Sequence, residues 1–535
     1  MASAAWGEQV ALTLGKDVVV GDGAARALLT EALTALTTLE PGSERRARDL
    51  ALRSWKKAAD DVGRGSALAI VALSLVVDPA VEGYTERLID ASGLAIYAGT
   101  VDSSDPVAQC ARAVIAAAGG SARQARELVD LVQEGLAMSK ANNDDVRGWL
   151  AIARDSVRDR SDAFYVDAKR GLAARPENIR LQALYADHLL DLGFADEALQ
   201  ELGTSDAPSL VVLRARAELE RGAATRAVEL LQPLATRLIG VDEPRRAEAL
   251  FWLGKAQLAV EPGADLTAAK ATITALEPRP GWAKETRLLN AIVARLEGRA
   301  ADAQQALMPL ALGTPTSTLV IERHIVAELL PLCAASKDAA CVEKAGRRAS
   351  MLDVDPQLVV NAKASLLPAD ESKALADEAQ RLAPGPRAAD VLKVRRALAA
   401  KAPSLARPVL DALLKDPQLR VARALRVPLA GDPPETARFA AAAITGLGLP
   451  LAERDLVDVV TALGAHKLKD SDGLLKVLDK DARPAVQRAV QLARADLKDP
   501  DARRKRLAAD RGVDVDGHDH GPALPPGATP DGAKR

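Results

Sequence analysis

Five histidines and three cysteines are the only soft ligands or mid-range bases in 535 residues, so a catalytic centre would have few parts to use. His188 lies beside Tyr185 and Leu189 in an apolar-periodic stretch, and His324 and His466 stand far from any partner in sequence. No His-Glu-x-x-His, Cys-x-x-Cys or phosphate-loop spacing occurs. Ser54-x-x-Lys57 has the spacing of a Ser/Lys nucleophile pair without the motifs that accompany one. Val18 to Gly23 imitates the opening of a nucleotide-binding turn, but no third glycine and no alternating strands follow it. His518-Asp519-His520 makes a weak chelator, because two imidazoles one residue apart fix little geometry. Arg503 to Arg506 follows Asp499 and Asp501 and lacks interleaved aromatics, which suits a solvated helix end better than a nucleic-acid site. These residues predict no enzyme, no metal, no cofactor and no nucleic-acid partner.

The elements around them follow from composition. Aromatics are 2% of the chain and roughly one residue in five is alanine, against 48% hydrophobic and 27% charged residues. Ala, Leu, Arg and Glu lose little entropy in a helix, whereas pleated surfaces need β-branched and aromatic side chains. The fold class is therefore all-α. Lys and Arg number 71 against 73 Asp and Glu, so no field of one sign favours polyanions. The longest apolar run, Ala67 to Val77, is broken by Ser74 and closes at Asp78-Pro79. That is short of the roughly 20 residues a membrane helix needs, and direct membrane insertion is not expected.

Repetition is clearest between residues 145 and 317. Ala247 to Pro280 reads as one helical hairpin: Leu250, Leu253 and Gly254 share a face, Glu-Pro-Gly breaks the chain, and Leu266 to Leu276 resumes the period. Neither helix can cover its own apolar stripe, so hairpins must stack on one another. The stretch resembles tetratricopeptide repeats, whose pattern has a small residue at position 8, Gly at 15, Ala at 20 and Pro at 32. Counted from Lys284, those places hold Ala291, Gly298, Ala303 and Pro315. Counted from Ile179 they hold Ala186, Gly193 and Ala198, and from Pro208 Ala215, Gly222 and Ala227. An earlier unit around Trp149, Ile152 and Ala153 loses the pattern after Arg160. The expectation is a helical-hairpin solenoid divided into N-terminal hairpins at 1–140, repeats at 141–317 and a further helical-repeat region at 318–510. A Gly, Pro and Asp-rich tail at 511–535 is expected to be disordered.

In that family a stripe of each first helix lines a concave groove. Carried over, the stripe brings forward Arg180, Asp187, Arg216, Phe251, Lys255, Glu285, Leu288 and Arg295 as partner-binding residues. Apolar anchors among charges of both signs suit an extended peptide or amphipathic helix. The resemblance thus implies a non-enzymatic scaffold or adaptor for another protein, while the rare aromatics from Trp149 to Trp282 are read mainly as packing between helices. Residues 1–20 lack a basic start, a continuous apolar core and a cleavage site, so the default location is cytoplasmic. The alternative is a bacterial cell-envelope assembly or regulatory factor with an extracytoplasmic solenoid. Cys333 and Cys341 bear on this, since they flank a turn and are either bonded or two buried thiols. Pro233 and Pro309 predict second helices that bend or end early.

Overall fold

The computed structural model describes residues 23–38, 42–58, 61–76, 84–101, 106–139, 144–260, 266–279, 281–313, 319–352, 354–382, 384–465 and 471–499. Among these there is no strand, and the chain is an all-α helical-hairpin solenoid. By its contacts it divides into two compact units, 1–362 with 396–405 and 363–395 with 406–535. Residues 319–352, grouped above with the C-terminal region, belong to the first of these. The 511–535 tail, His466, the Arg503 to Arg506 run and the His518 pair lie outside the described residues.

The first unit opens with α1 (Gly23–Thr37), α2 (Ser43–Lys57), α3 (Asp61–Val76), α4 (Tyr84–Val101), α5 (Pro106–Ala118) and α6 (Ala122–Met138). The central hairpins pair α7 (Asp144–Ser156) with α8 (Asp162–Ala174), α9 (Ile179–Leu192) with α10 (Ala195–Leu202), and α11 (Pro208–Glu220) with α12 (Ala224–Arg237). They continue with α13 (Glu243–Ala259) and α14 (Thr267–Leu276), α15 (Ala283–Leu296) and α16 (Ala300–Leu312), and α17 (Leu319–Ala335) and α18 (Ala339–Met351). First helices of successive hairpins also touch, from α9 through α11, α13 and α15 to α17. That places their facing side chains on one surface.

Local chemistry explains the hairpins. Asn178, Asp242 and Asp338 cap α9, α13 and α18 by accepting from the N–H groups of Leu181, Arg245 and Cys341, each satisfying a helix-end donor. Gly193, Gly222 and Gly298 turn between paired helices at φ of 87°, 81° and 81°, a left-handed conformation that glycine adopts without a Cβ penalty. The alanines in phase with them, Ala186, Ala198, Ala215, Ala227, Ala291 and Ala303, are all buried. A larger side chain at any of them would force paired helices apart. Of the two outcomes expected at the prolines, an early end does not occur: α12 runs past Pro233 to Arg237 and α16 past Pro309 to Leu312. Packing on neighbouring helices offsets the lost hydrogen bond.

The second unit contains α20 (Ala369–Leu382), α23 (Arg420–Arg426), α24 (Pro433–Thr445), α25 (Glu453–Ala465), α26 (Ser471–Val477) and α27 (Pro484–Lys498), while α19 (Pro356–Ala364), α21 (Ala388–Ala399) and α22 (Pro403–Leu413) span its boundaries. Its interior holds an ion pair, Arg395 to Asp455 at 2.6 Å, both nearly inaccessible. Burial pushes the Asp455 carboxyl up even so, with Arg395 opposing.

Candidate functional site

In the first unit the first helices of five successive hairpins surround a cavity of about 380 Å³. Helix α9 contributes Arg180, Ala183, Leu184 and Asp187, α11 contributes Ser209, Leu213 and Arg216, and α13 contributes Glu248, Phe251 and Trp252. Trp282 and Glu285 at the start of α15 and Val320 and Ile321 of α17 complete the lining. Five of the eight residues carried over from the repeat pattern, Arg180, Asp187, Arg216, Phe251 and Glu285, therefore meet around one space. Helix α17 reaches α9 directly through Arg323, whose guanidinium donates to the Asp191 carbonyl at 3.4 Å and lies 3.9 Å from its carboxylate.

An ion network forms one wall. Arg216 donates to Asp187, to Asp191 at 2.9 Å and to Glu220 at 3.0 Å, and Arg160 also donates to Asp191. Burial pulls the Arg216 guanidinium down, yet Asp187, Glu220 and Asp191 outweigh it and hold its pKa above the usual value. Burial raises Asp191 too, but Arg216, Arg160 and Arg323 keep its carboxyl below the ordinary carboxylate range. Behind this wall, Arg216 Cζ and Lys255 Nζ each sit 5.5 Å from the Trp252 ring centroid, and His324 meets the ring edge-on at 5.9 Å. Burial is the main reason that the Lys255 ammonium is pulled down to about 7, with Arg216 adding to it against Glu328 and Glu220. Burial likewise holds His324 well below its normal value, helped by Lys255, Arg216 and Arg323.

Other groups face the cavity without such partners. Arg180 Nη1 and Glu285 Oε2 are buried and have no hydrogen-bond partner. Burial lowers Arg180, with Asp155 opposing, and raises the carboxyls of Glu285 and Glu248. Phe251 meets two indoles, edge-on to Trp252 with centroids 5.1 Å apart and tilted against Trp282 at 6.2 Å.

Four residues of the stripe are placed otherwise than as free anchors around the cavity. Leu288 is 0% exposed and does not line the cavity, so it packs inside the array. Phe251 lines it but is only 1% exposed, held between the indoles as core more than as a free anchor. Arg295 lies away from the cavity on the surface and pairs with Glu328 at 3.2 Å, and Lys255 stands against Trp252 outside the lining. The stripe rule missed Leu184, Leu213, Trp252, Trp282, Val320 and Ile321. Trp252 and Trp282 were visible as rare indoles; Val320 and Ile321 come from a helix where the repeat pattern has already faded.

The isolated residues with chemical potential settle into structural places. His188 is 1% exposed, stacks on Phe164 with centroids 4.2 Å apart and pairs with Asp155 at 2.7 Å. Cys333 and Cys341 form a disulfide with their Cα atoms 5.7 Å apart, and Cys110 is buried and takes part in no disulfide. Among the described residues, no group of three or more His, Cys, Asp and Glu is placed to hold a metal, and no helix is long and apolar enough to cross a membrane.

No family model and no curated protein matches this sequence. Among solved structures, the chain is similar to one titled "Structure of Naa15/Naa10 bound to HypK-THB", with a TM-score of 0.20 and 15% identity, over 91% of this chain and 80% of that one.

Proposed function

We propose that this chain is a non-enzymatic scaffold or adaptor that holds a segment of another protein, an extended peptide or an amphipathic helix, against the first helices of its central hairpins. The observation that supports it most is the convergence of α9, α11, α13, α15 and α17 on one cavity that joins aromatic walls to polar atoms without partners. Protein-recognition sites combine buried aromatic and Arg anchors with a charged surround in the same way. A photo-crosslinking residue at Leu213 or Leu184 tests the reading in cells, with exposed Ile239, in the turn that follows α12, as control. Protein adducts specific to the cavity positions are expected. Adducts of equal yield at Ile239 would sink the assignment.

A second reading concerns where the chain works. The bonded Cys333 and Cys341 favour an extracytoplasmic setting such as the bacterial cell envelope, because cytosolic thiols are kept reduced. Alkylation followed by non-reducing mass spectrometry on protein from its own compartment decides it. Two alkylated thiols on this peptide would remove the support and leave the cytoplasmic setting.

A further inference from the structure

The cavity has an electrostatic imbalance that the ion network does not resolve. Arg216 is saturated by Asp187, Asp191 and Glu220. Glu285 is different: 9% exposed, it lines the cavity with Oε2 buried and unpartnered. A carboxylate placed so costs folding free energy unless something donates to it. Glu248 lines the same space, and the two cations that act on it are engaged elsewhere, Arg245 with Asp242 at 2.9 Å and Arg216 within the ion network. Burial raises both carboxyls and outweighs the cations that act on them, Lys284 beside Glu285 and Arg245 and Arg216 on Glu248. Phe251 and Trp282 supply aromatic walls beside them, and the volume lies at the small end of ligand sites. Arg180 offers the opposite function, a buried N–H of Nη1 with no acceptor.

Resting on the scaffold reading, we infer that the cavity takes one basic side chain, Arg or Lys, from an extended segment of the partner. Its cationic end meets Glu285 and Glu248, its aliphatic stem lies along Trp282 and Phe251, and a backbone carbonyl of the same segment accepts from Arg180. One occupant then satisfies both orphaned atoms. A neutral carbonyl suffices for Arg180, whereas a carboxylate side chain would satisfy Arg180 and leave Glu285 and Glu248 facing a like charge. A guanidinium also stacks on indole and donates in a fork, so Arg should be preferred to Lys.

Calorimetry on the full chain with acetylated, amidated Gly-Ser-X-Ser-Gly peptides tests this. With X as Arg or Lys, binding is expected about tenfold or more tighter than with Gln, the effect of one charge-assisted contact. Glu285→Gln, nearly isosteric, should bring the Arg peptide down to the Gln level with unchanged circular dichroism, and Glu248→Gln provides a second variant if the first folds poorly. Tighter binding of the Glu peptide, or no discrimination among the four, would overturn the inference. So would argininamide binding as tightly as the Arg peptide, since the site would then serve a free amine. A partner that still crosslinks at Leu213 in Glu285→Gln with undiminished affinity would overturn this inference and leave the scaffold reading intact. Loss of cavity-specific crosslinks in the parent chain would remove both.

Discussion

Arg216 carries a charge that looks available in sequence and is spent in the structure. The repeat pattern places it correctly on the inner stripe. Two of its three partners are invisible there, because Asp187 and Asp191 belong to another helix and only packing brings them within reach, whereas Glu220 is four residues on in the same helix. Breaking such a buried set leaves uncompensated carboxylates. Arg216→Ala should therefore lower stability by about 3 kcal/mol at neutral pH, nearer the low end of such losses because Asp191 keeps Arg160 and Arg323. The pH dependence has a definite sign. Asp191's folded pKa is depressed, so its contribution is present above the unfolded carboxylate value and is lost as pH falls through the folded one. Urea melts of parent and variant should converge in acid; a constant difference would exclude the carboxylates as the cause. Lys255 has the opposite signature. Unfolded, it keeps its proton to about 10.5, and folded it releases it near 7, so between these values stability rises with pH. Lys255→Met should stabilise the chain by on the order of 2 kcal/mol at pH 6, an advantage that vanishes above pH 10.5. Equal gains at both pH values would show that packing against Trp252, and not the charge, is responsible.

At the scale of elements, the hairpin turns were readable because Gly193, Gly222 and Gly298 each announce a left-handed turn beside in-phase alanines. What was not readable is how α7 meets α8. The sequence pattern fades after Arg160, yet this pair makes a close backbone approach: a Cβ at Gly171 would lie 2.4 Å from the Gly148 Cα, while one at Gly148 would meet nothing closer than 3.3 Å. Two isolated glycines 23 residues apart carry no signal in a chain with 36 of them. Gly171→Ala should push the helices apart and cost about 1–3 kcal/mol, as overpacking against backbone does. Gly148→Ala should cost less and is the comparison that separates contact from a general glycine effect, since Ala is the better helix former at both places. Equal melting temperatures for the two variants would contradict the approach. The prolines make a complementary point: Pro233 and Pro309 weaken a helix locally, but α12 and α16 continue because their buried faces, Leu234 and Ala235 in one and Leu310 and Ala311 in the other, remain packed beyond the proline.

At the scale of the whole molecule, repeat grammar reads a chain as neighbour stacked on neighbour, and that logic holds from α9 to α17. It has no means of finding a segment that returns from far along the chain. Residues 396–405 belong to the first unit, and they fasten onto the start of α8. The Asp162 N–H donates to the Lys401 carbonyl at 3.0 Å, while the Asp162 carboxylate accepts from the Ser404 N–H at 2.9 Å and from its hydroxyl at 2.6 Å. These groups lie 242 residues apart in the case of Asp162 and Ser404. No periodicity, spacing or composition could have paired them. The contact is exposed, so its strength is modest, but a carboxylate that accepts both donors of one serine also sits in the first turn of α8, where the helix dipole favours it. A double-mutant cycle of Asp162→Ala and Ser404→Ala separates those effects, because the dipole contribution is lost on Asp162→Ala whether position 404 is Ser or Ala, and cancels. The coupling should be about 0.5–1 kcal/mol, and hydrogen exchange at the Ser404 amide should quicken in Asp162→Ala as its acceptor is removed. Strictly additive variants with unchanged exchange at Ser404 would mean that the returning segment is held by apolar burial alone, through Ala397 and Ala402, which are both 0% exposed.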